Sequence, residues 1–238
     1  MEFIFKDIIS EVSKMDIGEY CKNKCEYYNS LLEVNSAKYN EFYYHVTKNI
    51  TKKEYGSKGD VIHRGYYCPS PVQDIVIGNS KRGKLTKNKK RFLSTGYEYG
   101  FDKNNRLICV RCIETSSIEF IEYQENYSIG YEFNISESKP QLQSINECFF
   151  DHLGRIILYI NAFCPIDKFK ELHYEQFEYS EFGICTDYFV NYIYGIVSCD
   201  GYVFHHNKHG YLSSFDIVNL NDKSKENETY SIRIKRKV

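Results

Sequence analysis

The sequence predicts a mainly β protein, in which a small N-terminal helical region precedes an antiparallel meander of repeated hairpins. The composition supports this, because 23 of the 238 residues are Tyr and 16 are Phe, and aromatic side chains favour strands. A repeat supports it too: FDKNNRLICV at 101–110 aligns with FDHLGRIILY at 150–159. The pattern leaves three architectures open, a partial propeller, stacked sheets or an open barrel.

Residues 1–50 form the expected helical region, with two or three helices. The first would carry Phe5, Ile8, Ile9, Val12 and Met15, and the second Cys21, Cys25, Tyr28, Leu31 and Leu32, all at helical spacing. Asp16 is a candidate N-cap for the second helix, with Glu19 completing a capping box. A third helix would start at Asn35 or Ser36.

Residues 51–96 are predicted to hold a linker, the first strands and a basic loop. The Gly-, Lys- and Ser-rich segment 51–70 is typical of a loop or domain junction, and an apolar strand follows at 75–77. Segment 80–91, SKRGKLTKNKKR, has seven basic residues in twelve. Together with the tail IRIKRKV it could bind nucleic acid, but the chain carries a net charge of −1, which favours a solvated loop.

Residues 97–238 form the predicted repeated β-hairpin domain. The turns DKNN and DHLG stand between apolar segments, and Asn105 or Gly154 can adopt a positive φ there. Each hairpin precedes two aromatic, acidic strands, at 118–134 and 169–184, so one repeat has about four strands and a period near 50 residues. A third copy is expected at 202–217, with HNKHG as its turn.

The nine cysteines indicate a reducing, cytoplasmic compartment, because their number is odd and their spacing is scattered. Neither a membrane-spanning segment nor a signal peptide is apparent in the sequence, and no cofactor is expected. Cys109 and Cys112, and likewise Cys21 and Cys25, are interpreted as small buried hydrophobes rather than zinc ligands, because tetrahedral sites need four converging ligands.

The histidines His205, His206 and His209 form the densest imidazole cluster in the sequence. They could ligate a metal or supply a general base, which makes a metal-dependent hydrolase the alternative function. They fall in a predicted hairpin turn without a recognised ligand spacing, so a solvated turn is the favoured interpretation and no metal is assigned.

The middle third of the chain is strongly acidic: residues 114–187 contain 14 acidic and 4 basic residues. Aromatic residues interleave with these carboxylates, a combination that suits a protein-binding face because aromatics anchor and carboxylates steer. Solvated strand faces and a glycosidase-like carboxylate pair are the alternatives. The candidate partner-binding residues are Glu119, Glu122, Tyr123, Glu125, Tyr131, Glu132, Glu171, Tyr174, Glu175, Glu178 and Glu181.

FDKNNRLI and FDHLGRII resemble the YDxxGRL hairpins of Rhs and YD-repeat polymorphic toxins, with Phe in place of Tyr and Asn105 in place of the first Gly. The Tyr-rich short β-repeats and acidic patches are similar to the immunity proteins of such toxin and contact-dependent growth inhibition systems. The resemblance implies a cytoplasmic, non-enzymatic immunity protein. Its expected partner is a cognate toxin domain, a basic nuclease, which it would neutralise by covering the active site; nucleic acid and membranes are not expected partners.

Overall fold

A computed structural model describes residues 16–57, 63–73, 84–87, 96–164, 168–219 and 228–236. The predicted first helix, the strand at 75–77 and most of the basic loop at 80–91 lie outside these residues. None of the helices in the described ranges combines the length and apolar character needed to cross a membrane.

Two helices precede the sheet, α1 (Ile17–Asn35) and α2 (Tyr39–Thr47). Asp16 caps α1 as predicted, and its Oδ1 accepts a 2.7 Å hydrogen bond from the backbone N–H of Gly18. α2 starts at Tyr39 rather than near Ser36, because Ser36 instead continues the end of α1: its N–H donates to the carbonyl of Leu32.

The described strands are β1 (Lys52–Ser57), β2 (Lys84–Thr86), β3 (Tyr97–Phe101), β4 (Leu107–Cys112), β5 (Ser117–Tyr123), β6 (Tyr127–Asn134), β7 (Gln141–Phe150), β8 (Ile156–Phe163), β9 (Glu171–Ser180), β10 (Gly183–Ile193), β11 (Ile196–His206), β12 (Leu212–Asn219) and β13 (Glu228–Arg236). They form one antiparallel sheet in the order β13-β12-β11-β10-β9-β8-β7-β6-β5-β4-β3-β1-β2. Over the described residues this sheet is a single open meander that does not close on itself, rather than one of the three architectures that the sequence leaves open.

The predicted repeat is confirmed. β3–β6 and β7–β10 are successive four-strand units, and β11 to β13 begin a third, with its turn at 207–211 as expected. The interpretation of 51–70 as a loop or domain junction is wrong for residues 52–57. These form β1, which pairs with β3 on one side and β2 on the other.

The sheet is covered on both faces. Along each strand alternate side chains point to opposite faces, and the helices cover one face, where Tyr20 packs edge-on against Tyr174 and Phe42 stacks on Tyr131. We call this the helix face. The other face carries a second set of buried residues that includes Ile121, Tyr159 and Phe177, and segment 63–73 crosses it. We call segment 63–73 the strap, and this side the strap face.

Candidate functional site

Two of the hairpin turns contain the same hydrogen bonds between an Asp and the Arg four residues later, an arrangement that we call the Asp–Arg lock. In the first, Asp102 Oδ1 accepts from the backbone N–H groups of Asn104 and Arg106, both at 2.9 Å, and Oδ2 accepts from Arg106 Nε at 2.8 Å. Asp151 and Arg155 repeat these bonds at 2.7–2.9 Å. The short Asp side chain closes the turn, and the Arg four residues later neutralises it.

Each arginine of this lock also rests on an aromatic ring of the next hairpin. The Arg106 guanidinium carbon lies 5.0 Å from the Tyr123 ring centroid, and that of Arg155 lies 4.4 Å from the centroid of Tyr179. In the third copy Asn207 replaces Asp, and its Oδ1 accepts from the N–H groups of His209 and Tyr211. Positive φ angles at Asn105, Gly154 and Gly210 confirm the predicted turn geometry.

The meander places five turns at one end of the sheet. These turns, 102–106, 124–126, 151–155, 181–182 and 207–211, each follow an odd-numbered strand, and consecutive strands run in opposite directions. We call the middle three turns, with Glu122 and Glu178 at the adjoining strand ends, the central rim. At about 4.8 Å per strand the central rim is about 19 Å long.

The central rim is acidic and carries exposed apolar side chains. It holds five carboxylates, of which Asp151 is paired with Arg155, the rim's one basic residue. Leu153 is 64% exposed and Phe182 is 42% exposed. The rim therefore combines negative charge with exposed apolar side chains, and the Asp151–Arg155 pair holds its middle turn in place.

The candidate partner-binding residues do not form one exposed face. Five lie at the central rim: Glu125, Glu178 and Glu181 are exposed, and Glu122 and Tyr123 are half-buried. Tyr131 and Tyr174 are buried beneath the helices, because their strand positions point to the helix face. Glu119 and Glu175 are buried on the strap face, whereas Glu132 and Glu171 are half-buried near the opposite end of the strands.

The strap binds to the sheet through a buried ion pair. Arg64 donates from Nε to both Glu119 carboxylate oxygens, at 3.1 and 3.0 Å, and from NH2 to Glu119 Oε1 at 2.7 Å. Asn146 bonds to both partners, at 2.6 and 2.7 Å. Burial alone would raise the pKa of Glu119, but the Arg64 and His63 side chains lower it by more, so it lies well below the usual range.

Local backbone features fit the strap closely to the sheet. Arg64 has a left-handed conformation with φ of 55°, and Gly65 follows with φ of 53°. A Cβ at Gly65 would overlap the Tyr97 ring. On the sheet, a Cβ at Gly130 would overlap the Glu119 carboxylate and the Asn146 amide, so both glycines are needed for this approach of strap to sheet.

A second polar contact lies further along the strap. Ser70 Oγ donates to Glu175 Oε2 at 2.7 Å, and the neighbouring Asp187 carboxyl is also buried. Burial raises the pKa of Glu175 to about 8, and burial followed by repulsion from Glu175 raises that of Asp187 well above its usual range. Because two adjacent buried carboxyl groups cannot both ionise at low cost, the pair retains a proton at neutral pH.

The three histidines are on or beside the β11–β12 turn, as predicted. His205 Nε2 lies 2.8 Å from Asp216 Oδ2, a partner eleven residues away that sequence reasoning missed although β11 and β12 are paired. His206 is half-buried and His209 is exposed. Within the described ranges no group of three or more His, Cys, Asp or Glu side chains is arranged to hold a metal ion.

The cysteines match their predicted packing role. All nine are free thiols, and Cys21, Cys25, Cys109 and Cys112 are buried. Burial raises the pKa of Cys21, Cys25 and Cys109 to about 12, so these thiols are protonated near neutral pH.

Comparison of the chain with protein-family models gives no match. Comparison with curated proteins also gives none.

Proposed function

We propose that this protein is a non-enzymatic immunity protein that binds a cognate toxin domain through its central rim. The observation that carries the proposal is the clustering at one end of the sheet of exposed Leu153 and Phe182 with four carboxylates that have no ion-pair partner among the described residues. Charged groups at such a surface steer an oppositely charged partner, and apolar groups at its centre anchor the complex.

The partner that best complements this rim is basic. A nuclease has a basic cleft because it binds phosphates, and the central rim, at about 19 Å by the strand spacing, is long enough to lie along such a cleft. The rim carboxylates would take the place of the substrate phosphates and exclude the nucleic acid. This mechanism needs no catalytic group on the chain and operates in the cytoplasm, where the toxin would act.

The middle turn of the rim is also pre-organised for binding. The Asp151–Arg155 lock and the stacking of Arg155 on Tyr179 fix the central turn before a partner arrives. Fewer groups then lose conformational freedom on association, which improves affinity without adding contacts.

The proposal is tested with three tagged baits expressed in the native host: the wild-type chain, a rim variant and a far-end variant. The rim variant carries Glu125→Lys, Glu178→Lys and Glu181→Lys. The far-end variant carries Glu33→Lys, Glu114→Lys and Glu137→Lys, which are exposed positions with the same total charge change. Leu32 and Ser36, on either side of Glu33, line a groove at the strand ends opposite the rim. Co-purifying proteins are identified by mass spectrometry.

We expect the wild-type and far-end baits to capture the same protein domain in stoichiometric amount, and the rim variant to lose it. Reversing three rim charges should lower the association rate by roughly 10- to 1,000-fold at low salt. Equal capture by the rim and wild-type baits would disprove rim binding. Recovery of the wild-type chain alone would argue against an immunity function.

A further inference from the structure

A small chamber lies at the Arg64–Glu119 ion pair, and both of these side chains form part of its lining. Its volume is about 160 Å³, and its polar lining includes Thr115, Ser117, Glu119, Glu132 and His63. An open groove of about 710 Å³ lies next to it, at the end of the strands opposite the turn rim. Glu132, Gln143 and Phe163 line both spaces, so these three side chains form the wall between groove and chamber.

His63 lines this chamber, and its ring nitrogen Nε2 makes no short hydrogen bond although it lies within ion-pair distance of Glu119. The side chain is 5% exposed, and its Nδ1 lies 2.7 Å from the Tyr159 hydroxyl. Nε2 has no hydrogen-bond partner among the described residues and lies 3.4 Å from Glu119 Oε2, which is too long for a well-formed bond. Because the Tyr159 hydroxyl can donate to Nδ1 or accept from it, Nε2 can act either as donor or as acceptor.

The charges of the chamber favour a cation. Arg64 neutralises Glu119, whereas Glu132 interacts with His63 and with the neutral side chains of Ser117 and Gln143. Within the described residues no lysine or arginine is paired with Glu132, and burial raises the pKa of its carboxyl group. Even a half-buried carboxylate loses hydration that an opposite charge can offset, and a cation entering the chamber would supply that charge.

We propose that the chamber binds one small cation that carries N–H donors, either ammonium or a short primary amine. Its N–H groups would donate to Glu132 and to His63 Nε2, and the Thr115 and Ser117 hydroxyl groups would complete its coordination. The space equals that of about five water molecules at 30 Å³ each, which admits an amine of a few carbon atoms. The site is separate from the central rim, so it stands independently of the proposed immunity function.

The first test compares cations on the wild-type chain. Thermal unfolding and calorimetry are run with ammonium, methylammonium, potassium and tetramethylammonium chlorides at constant ionic strength. Ammonium and methylammonium should raise Tm saturably, with one site per chain, whereas tetramethylammonium, which has no N–H group, should not. An equal effect of potassium would overturn the N–H assignment, and the lack of any saturable shift would overturn the site.

The second test uses Glu132→Gln, a nearly isosteric change that removes the charge, with Glu137→Gln as an exposed control in the β6–β7 turn. Loss of a charged hydrogen-bond acceptor should weaken methylammonium binding about tenfold or more, and the control should bind as wild type does. Unchanged affinity in Glu132→Gln would disprove the site. Should that variant not fold, the ring signals of His63 in the wild-type NMR spectrum decide instead: they must shift with methylammonium and stay fixed with tetramethylammonium.

Discussion

Replacing Arg64 by Met should strongly destabilise the fold. The substitution removes a guanidinium that contacts Glu119 and Asn146 at 2.6–3.1 Å and leaves a carboxylate that is only 3% exposed without its counterion. Breaking one side of a buried ion pair costs about 3–5 kcal/mol. Since small proteins are stable by about 5–15 kcal/mol, this single change would remove a large share of the free energy of unfolding.

A double variant distinguishes the loss of the Arg64 hydrogen bonds from the cost of leaving the Glu119 carboxylate unpaired. In Arg64→Met with Glu119→Gln the charge is gone, while the Gln oxygen still accepts from Asn146, so at least half of the lost stability should return. Arg155→Met removes the exposed partner of Asp151 and should cost about 1 kcal/mol or less. Urea unfolding is followed by tyrosine fluorescence, since the chain has 23 Tyr and no Trp.

The pH dependence of the free energy of unfolding tests the same ion pair. Because the folded pKa of Glu119 is lowered, its contribution is present above the unfolded value of about 4.3 and is lost as the pH falls through the folded pKa. In Arg64→Met burial raises that pKa with only His63 left to oppose it, so acid should stabilise this variant relative to wild type. A loss below about 1 kcal/mol in Arg64→Met at neutral pH, the range of a surface pair, would refute the view that the pair holds the strap.

Three further predictions concern the packing, the turns and the acid pair. Gly130→Ala should cost about 1–3 kcal/mol, because the new Cβ overlaps the Glu119 carboxylate; an unchanged urea midpoint would contradict this. Asp151→Ala should cost about 1 kcal/mol through the lost turn bonds, and Asp151→Asn clearly less; equal costs in the two variants would show that the Oδ1 bonds do not matter. The raised pKa values of Glu175 and Asp187 mean that the folded state binds more protons than the unfolded state, so their contribution falls as the pH rises from about 4 through 8. Glu175→Gln should flatten this decline in urea midpoints, and an identical slope in the variant would exclude the pair as its cause.

The repeated hairpins could be predicted from the sequence because their signals are local. Asp102 and Arg106 lie four residues apart with a residue of positive φ between them, and the same pattern recurs at Asp151. The turn chemistry therefore fixes each hairpin, and the antiparallel meander follows from short connections. Closure of the sheet has no such local signal.

The strap and its polar contacts could not be predicted in this way. Arg64 and Glu119 are 55 residues apart, and the glycines and lysines around the strap indicate only a loop. The acidic block was likewise interpreted as one face, although alternation along each strand sends Tyr131 to the helix face and Glu119 to the strap face. The composition shows that this part of the chain is acidic. The strand register, which the sequence alone does not give, decides which of its side chains lie on each face of the sheet and which lie at the rim.

The most direct test of the immunity function is a growth assay with the captured partner domain. The domain is expressed in bacteria that lack this chain, alone or together with the wild-type, rim-variant or far-end-variant protein, at matched expression levels. We expect growth arrest by the domain alone, rescue by the wild-type and far-end proteins, and no rescue by the rim variant. A harmless partner domain, or full rescue by the rim variant, would contradict the claim that the central rim neutralises a toxin.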